Sequence, residues 1–204
     1  MISRRMVLAA ATIAAVVPGL PSDAAGEDSP AAQVSAYCDA LLGAMKEGKA
    51  LGFKGRYEKL APAIRRAFNL PQMTRIAVGP AWTNLPPDQQ QQLVDAFSDF
   101  SIATYANQFD DYSGERFEVD PKPTPANNGD AIVNTKLIPK NGDPVALNYL
   151  MRKGENGWQI VDVYLSGTIS QLAARRAEFS AVMRRDGAAG LINVLRKKAA
   201  SLAS

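Results

Sequence analysis

"GWQIVDVYLSGTISQLAARRAEF", residues 157–179, passes from strand to helix within a few positions. Side chains alternate along an extended chain, so Trp158, Ile160, Asp162 and Tyr164 share one face. Gly167 allows a turn, Thr168 is suited to cap the next helix, and Arg175 and Arg176 follow side by side on it. Asp162 interrupts an otherwise apolar strand. If that face turns inward, its carboxylate needs a partner, because an unpaired buried charge is very costly. Arg175 or Arg176 is the expected partner.

Upstream, "RFEVDP", "DAIVNTKLIP" and "DPVALNYLMRK" have the same β character, punctuated by "NNGD", "NGD" and "GENG". In the third, Val145, Leu147, Tyr149 and Met151 alternate with Ala146, Asn148, Leu150 and Arg152, which fits an antiparallel sheet with one face on a core. Earlier still the period is helical. Val34, Cys38, Leu41, Leu42 and Met45 make one stripe, and Phe53, Tyr57, Leu60, Ile64 and Phe68 make a second, with a break expected at Pro62. "LPQMTRIAVG" reads as a short helix closed by Gly79, and the longest helical pattern begins at Pro86-Pro87. Two helices are expected after the strands, over 168–186 and 188–202, joined at Asp186-Gly187. The predicted class is α+β: a four-stranded antiparallel sheet packed with N- and C-terminal helices.

The chain opens with "MISRR", an apolar run too short to span a bilayer, and small residues at Ser22 and Ala24. Residues 1–25 read as a signal peptide, and 26–204 as one domain with its core over 33–202. "SRRMVL" approaches a twin-arginine signal, so both that route and general secretion fit, and the expected compartment is the periplasm. Loss of Arg4, Arg5 and Asp23 with the leader takes the formal charge from +3 to about +2. That excess does not imply nucleic acid, and the basic residues crowd the C-terminal third. Arg184, Arg185, Arg196, Lys197 and Lys198 read as surface charge suited to transient contact with anionic membranes.

The chain has no histidine, which removes Ser-His-Asp and Cys-His catalysis and leaves almost no transition-metal site. Its one cysteine, Cys38, has no intrachain disulfide partner and reads as a small buried residue. Paired carboxylates can do acid–base work, and Asp110, Asp111, Glu115 and Glu118 are the candidates considered, but they lie at a helix end and the next turn, where such groups are usually solvated. The aromatic and methionine residues suit a filled core as well as a cavity wall. Periodicity does not separate the two.

The C-terminal run, followed by "DGAAGLINVLRKK", resembles the end of the MlaC family, the toluene-tolerance auxiliary family of periplasmic lipid-binding proteins. "FNLPQMTRIAVGPAWTNLPPDQQQQLVDAFSDFSIATYANQFDDYSGERFEV" is similar to the family's helix, Gly-x-x-Trp turn and long aromatic-rich helix. The wording "SGTISQLAARRAEF" looks closer to its hopanoid-associated branch, HpnM.

The resemblance implies a non-catalytic shuttle with no cofactor or metal beyond a bound lipid, hopanoid or phospholipid. Its implied partners are inner-membrane ABC transporter subunits and an outer-membrane donor or acceptor complex. At ~0.8 kcal/mol per methylene, a sixteen-carbon chain costs about 13 kcal/mol to expose, so lipid crosses water only under cover. Family fold and periodicity together nominate Phe68, Met73, Ile76, Trp82, Phe97, Phe100, Tyr105, Val133, Leu147, Tyr149, Met151, Ile160 and Tyr164 as pocket lining. Arg175 and Arg176 are nominated for the rim, facing a headgroup or an acidic partner; a solvated helix face is the competing reading.

Overall fold

The structure is a computed structural model that describes residues 28–203. The expected signal peptide lies outside the described residues.

Helix α1 (Pro30–Lys46) starts where the Ser29 hydroxyl accepts the Ala32 amide at 3.1 Å, with Pro30 in the first turn, where its missing N–H costs nothing. Helix α2 (Gly48–Ala67) bends at Gly52, whose φ of +60° is a left-handed value open to glycine, and not at Pro62 as the sequence predicts. Proline removes the bond to the Glu58 carbonyl, but both residues are exposed and water replaces the lost donor. The buried Arg56 guanidinium spans the α1–α2 corner, donating to the Gly48 carbonyl at 2.9 Å and to the Ala106 carbonyl at 2.7 Å. Helix α3 (Leu70–Val78) is capped by Asn69 and ends at Gly79, φ +75°. A 3₁₀ turn, Gly79–Asn84, leads to the long helix α4 (Pro87–Gln108).

The sheet has seven strand segments rather than four: β1 (Arg116–Val119), β2 (Thr124–Pro125), β3 (Ala131–Val133), β4 (Thr135–Ile138), β5 (Val145–Gly154), β6 (Gly157–Leu165) and β7 (Ile169–Ser170). All pairings between these strands are antiparallel, as expected, and an isolated parallel bridge joins Phe68 to Ile160. "DAIVNTKLIP" lies along β5 in one register but is interrupted at Asn134, where the Asn148 side chain takes the Thr135 amide. The strand beyond it breaks between Val119 and Thr124, a stretch that includes Pro123, which has no N–H to donate. The short β7 adds to the free edge of β6.

A bulge corrects the face assignment of β6. Leu150 pairs with Asp162 and Met151 with Ile160, so Val161 is the surplus residue. Ile160 and Val163 therefore lie on the core face with Met151 and Tyr149, while Asp162 and Tyr164 turn to the other. Asp162 meets neither arginine. It accepts the Val163 amide at 2.7 Å, the Leu172 amide at 3.0 Å and the Ser170 hydroxyl at 2.5 Å. Helix α5 (Gln171–Ser201) is thus capped by Ser170, not Thr168, and Asp162 secures the cap. At Gly187 (φ +67°) its course breaks, where the sequence places the joint between two helices.

The core fills the space between the helices and the inner sheet face. Val34, Leu41, Leu60, Ile64, Leu93, Ile102, Ile160 and Leu191 are fully buried there.

Candidate functional site: an apolar cavity under the sheet

One face of α4 carries Phe97, Phe100, Ser101, Thr104, Tyr105 and Gln108, spaced three or four residues apart as one helical stripe requires. This stripe forms one wall of a cavity of about 210 Å³. Ile64, Phe68, Leu70 and Met73 close it from α2 and α3, Leu147, Tyr149, Val163 and Leu165 from the sheet, and Gln171, Leu172 and Arg175 from α5. Phe109 completes the lining.

The sheet wall gives the cavity a direction. Exposure rises from Tyr149 (2 %) and Val163 (9 %) to Leu165 (38 %) and Ile169 (55 %), all on one face by their pairing. The cavity is therefore closed at Tyr149 and opens toward the β6–β7 corner. Beside its closed end the Tyr37 ring stands edge-on to Phe68, Tyr105 and Tyr149, with centroids 5.1–6.0 Å away. Edge-to-face contacts of this kind fix ring orientation as well as filling space. Burial pushes the Tyr105 hydroxyl up to about 12, and Tyr37 and Tyr149 well above the usual range.

The polar lining of α4 is quiet. Ser101 and Thr104 donate back to the Phe97 and Phe100 carbonyls at 2.7 and 2.8 Å, so their hydrogens are spent inside the helix. Arg175 is the one lining residue with a formal charge. Its guanidinium carbon stands 4.7 Å from the centre of the Phe100 ring, and it pairs with Glu178 at 3.5 Å. Glu178 also pairs with Lys198, whose ammonium lies 5.9 Å from the same ring. Two cations share one carboxylate, so the cluster carries a net positive charge.

Of the nominated residues, Phe68, Met73, Phe97, Phe100, Tyr105, Leu147, Tyr149 and Arg175 line this cavity. Val133, Met151 and Ile160 do not; they are buried in the core beside it. Tyr164 is turned away by the bulge, and Ile76 and Trp82 line a separate recess behind α3. Arg176 is exposed and lies against Gly79. Sequence reasoning passed over Ser101, Thr104 and Gln108 because they are polar, although their spacing from Phe97 marks the stripe. It passed over Val163 because period two was carried through the bulge.

The carboxylates considered for acid–base chemistry lie elsewhere. Asp111 pairs with Lys49 at 3.2 Å and Glu118 with Arg116 at 3.1 Å, while Glu115 accepts the Ser113 amide at 2.6 Å and Asp110 is exposed. Among the described residues no group of His, Cys, Asp or Glu is arranged to hold a metal ion, and no helix is long and apolar enough to cross a membrane.

A family model described as "MlaC protein" matches residues 35–197. The fold is similar to that of a phospholipid-binding protein from Ralstonia solanacearum, solved in complex with a phospholipid. The two share 28 % identity with a TM-score of 0.74, over 86 % of this chain and 99 % of that one. No curated protein matches.

Proposed function

This chain belongs to the MlaC family, and from that premise we propose that it is a non-catalytic lipid carrier of the periplasm, moving phospholipid between inner and outer membranes. The observation that carries the reading is the apolar cavity, with its blind aromatic end and its single cation near the mouth. Acyl chains gain by leaving water, at ~0.8 kcal/mol per methylene, and a phosphate gains from a guanidinium. Arg175 is the headgroup contact in this reading, and Arg176 is not. The phospholipid held by the structural relative supports the same cargo. The hopanoid reading rests on the wording of residues 166–179 alone, and a neutral ring system makes no use of Arg175.

At about 210 Å³ the cavity is smaller than the ~300–1,000 Å³ of small-molecule pockets. A lipid with two chains therefore enters as the walls part. The β6–β7 corner is suited to yield, since Ser166 and Gly167 hold positive φ and the flanking Leu165 and Ile169 are exposed. An ABC-type transporter in the inner membrane and an outer-membrane complex are the proposed donor and acceptor.

Native mass spectrometry of the mature protein, with extraction of what co-purifies, tests the proposal. About one phospholipid per chain is expected. Protein that emerges empty and takes up no lipid from phospholipid vesicles would overturn it.

A further inference from the structure

Helix α3 has two working faces. Leu70 and Met73 line the cavity, while Pro71, Gln72, Arg75 and Ile76 face a second, open recess of about 620 Å³, completed by Asn69, Trp82 and Arg152. The two hollows are thus separated by a single helix. The recess is built rather than incidental. Gln90 donates to the Trp82 carbonyl at 2.9 Å and to the Leu85 carbonyl at 3.2 Å, which fixes the turn that carries the indole. Arg152 is held by the buried Asp130, Nε at 2.8 Å and Nη2 at 2.5 Å. This grips one edge of the guanidinium, and Nη1 bonds to no described residue. Arg75 is exposed and makes no ion pair with any described residue.

Fixed arginine, free arginine and a half-buried tryptophan are the residue types that dominate protein interfaces. A guanidinium fork matches a carboxylate in two parallel hydrogen bonds, and neither recess arginine has a carboxylate to spare once Asp130 is committed. We propose that this recess is a docking site for an acidic segment of a protein partner. The indole supplies the apolar anchor, and the arginines read the carboxylates. Because α3 also walls the cavity, the partner grips the helix against which lipid would pack. The site stands independently of what the cavity holds.

The test uses the mature full chain with Trp158→Phe, so that Trp82 is the sole indole, titrated with a hexaglutamate peptide. A saturable change in Trp82 fluorescence is expected, weakening steeply with added salt. Arg75→Gln, an exposed change that leaves folding intact, should weaken binding about tenfold. Hexalysine should produce no change. Absence of saturation, or equal binding by the Arg75→Gln protein, overturns the proposal. So does binding to anionic vesicles through Arg75 with no response to hexaglutamate, which would assign the recess to a membrane surface. Lipid content measured on the same samples reports on the cavity separately, so either reading can fail alone.

Discussion

The Asp162 carboxylate accepts the backbone amide of Leu172 at 3.0 Å, tying the end of strand β6 to the first turn of helix α5. Four cavity residues, Leu165, Gln171, Leu172 and Arg175, hang from this knot. Asp162 also takes the Ser170 hydroxyl, which itself caps α5. One buried side chain thus sets where the helix begins, and with it where Arg175 stands.

Asp162→Ala is expected to cost about 2–4 kcal/mol, since it strands two amides and a hydroxyl. Asp162→Asn, which keeps one acceptor oxygen, should lose roughly half as much. Urea denaturation of the two variants checks the order. A loss under about 0.5 kcal/mol for the alanine variant would show that water satisfies the freed donors.

Alkaline pH should destabilise the fold before the tyrosines themselves would ionise in an open chain. Burial, with Asp39 adding to it, pushes the Cys38 thiol from its ordinary 9 up to about 12. The unfolded chain therefore gives up this proton first. The stability it contributes is complete below pH 9 and is lost as pH rises toward 12, at up to about 1.4 kcal/mol per pH unit. Above pH 10 the buried Tyr37 and Tyr149 and the half-buried Tyr105 add in the same sense. Denaturation midpoints between pH 8 and 10 should fall in the parent and fall less in Cys38→Ala.

Filling the cavity should empty it of lipid. Ser101 lines α4's wall and is half-buried, so Ser101→Trp places an indole in the space at modest cost to folding. Co-purifying phospholipid is expected to drop about tenfold while the thermal midpoint moves by only a few degrees. Undiminished lipid content in a folded variant would count against the cavity as the cargo site.

The two adjacent arginines should behave differently. Arg175→Gln removes the cation over Phe100 and is expected to speed loss of an anionic lipid to acceptor vesicles about fivefold. Arg176→Gln, exposed against Gly79, should leave the rate unchanged. Equal effects from both would indicate a diffuse field rather than a headgroup contact.

Most of the architecture was legible because it rests on local rules. Asp186-Gly187 announced the break in α5, and Pro86-Pro87 the start of α4. The errors arose where a tertiary choice outweighs a local one. Pro62 stays inside α2 because the bond it forfeits lies on a wet surface, and the chain bends at Gly52, where a left-handed residue is cheap. Tyr164 and Val163 exchanged faces because a bulge leaves no mark in a run of alternating apolar residues. Family fold and periodicity nominate Trp82 and Ile76 for the cavity, but Ile76 lies on the far face of α3 and Trp82 on the 3₁₀ turn that follows it, where both line the second recess. Ser101 and Thr104 were hidden by their polarity, which the helix backbone absorbs.

Val161 carries a consequence larger than its size. Pair that extra position regularly with Leu150, instead of letting it bulge, and the outer half of β6 would roll over, pointing an acid at the greasy chamber and a valine at the opposite surface. A hydrocarbon guest would then meet a negative wall directly below a positive door. Whether this chamber welcomes oil is thus decided by counting residues along one strand, as much as by which residues they are.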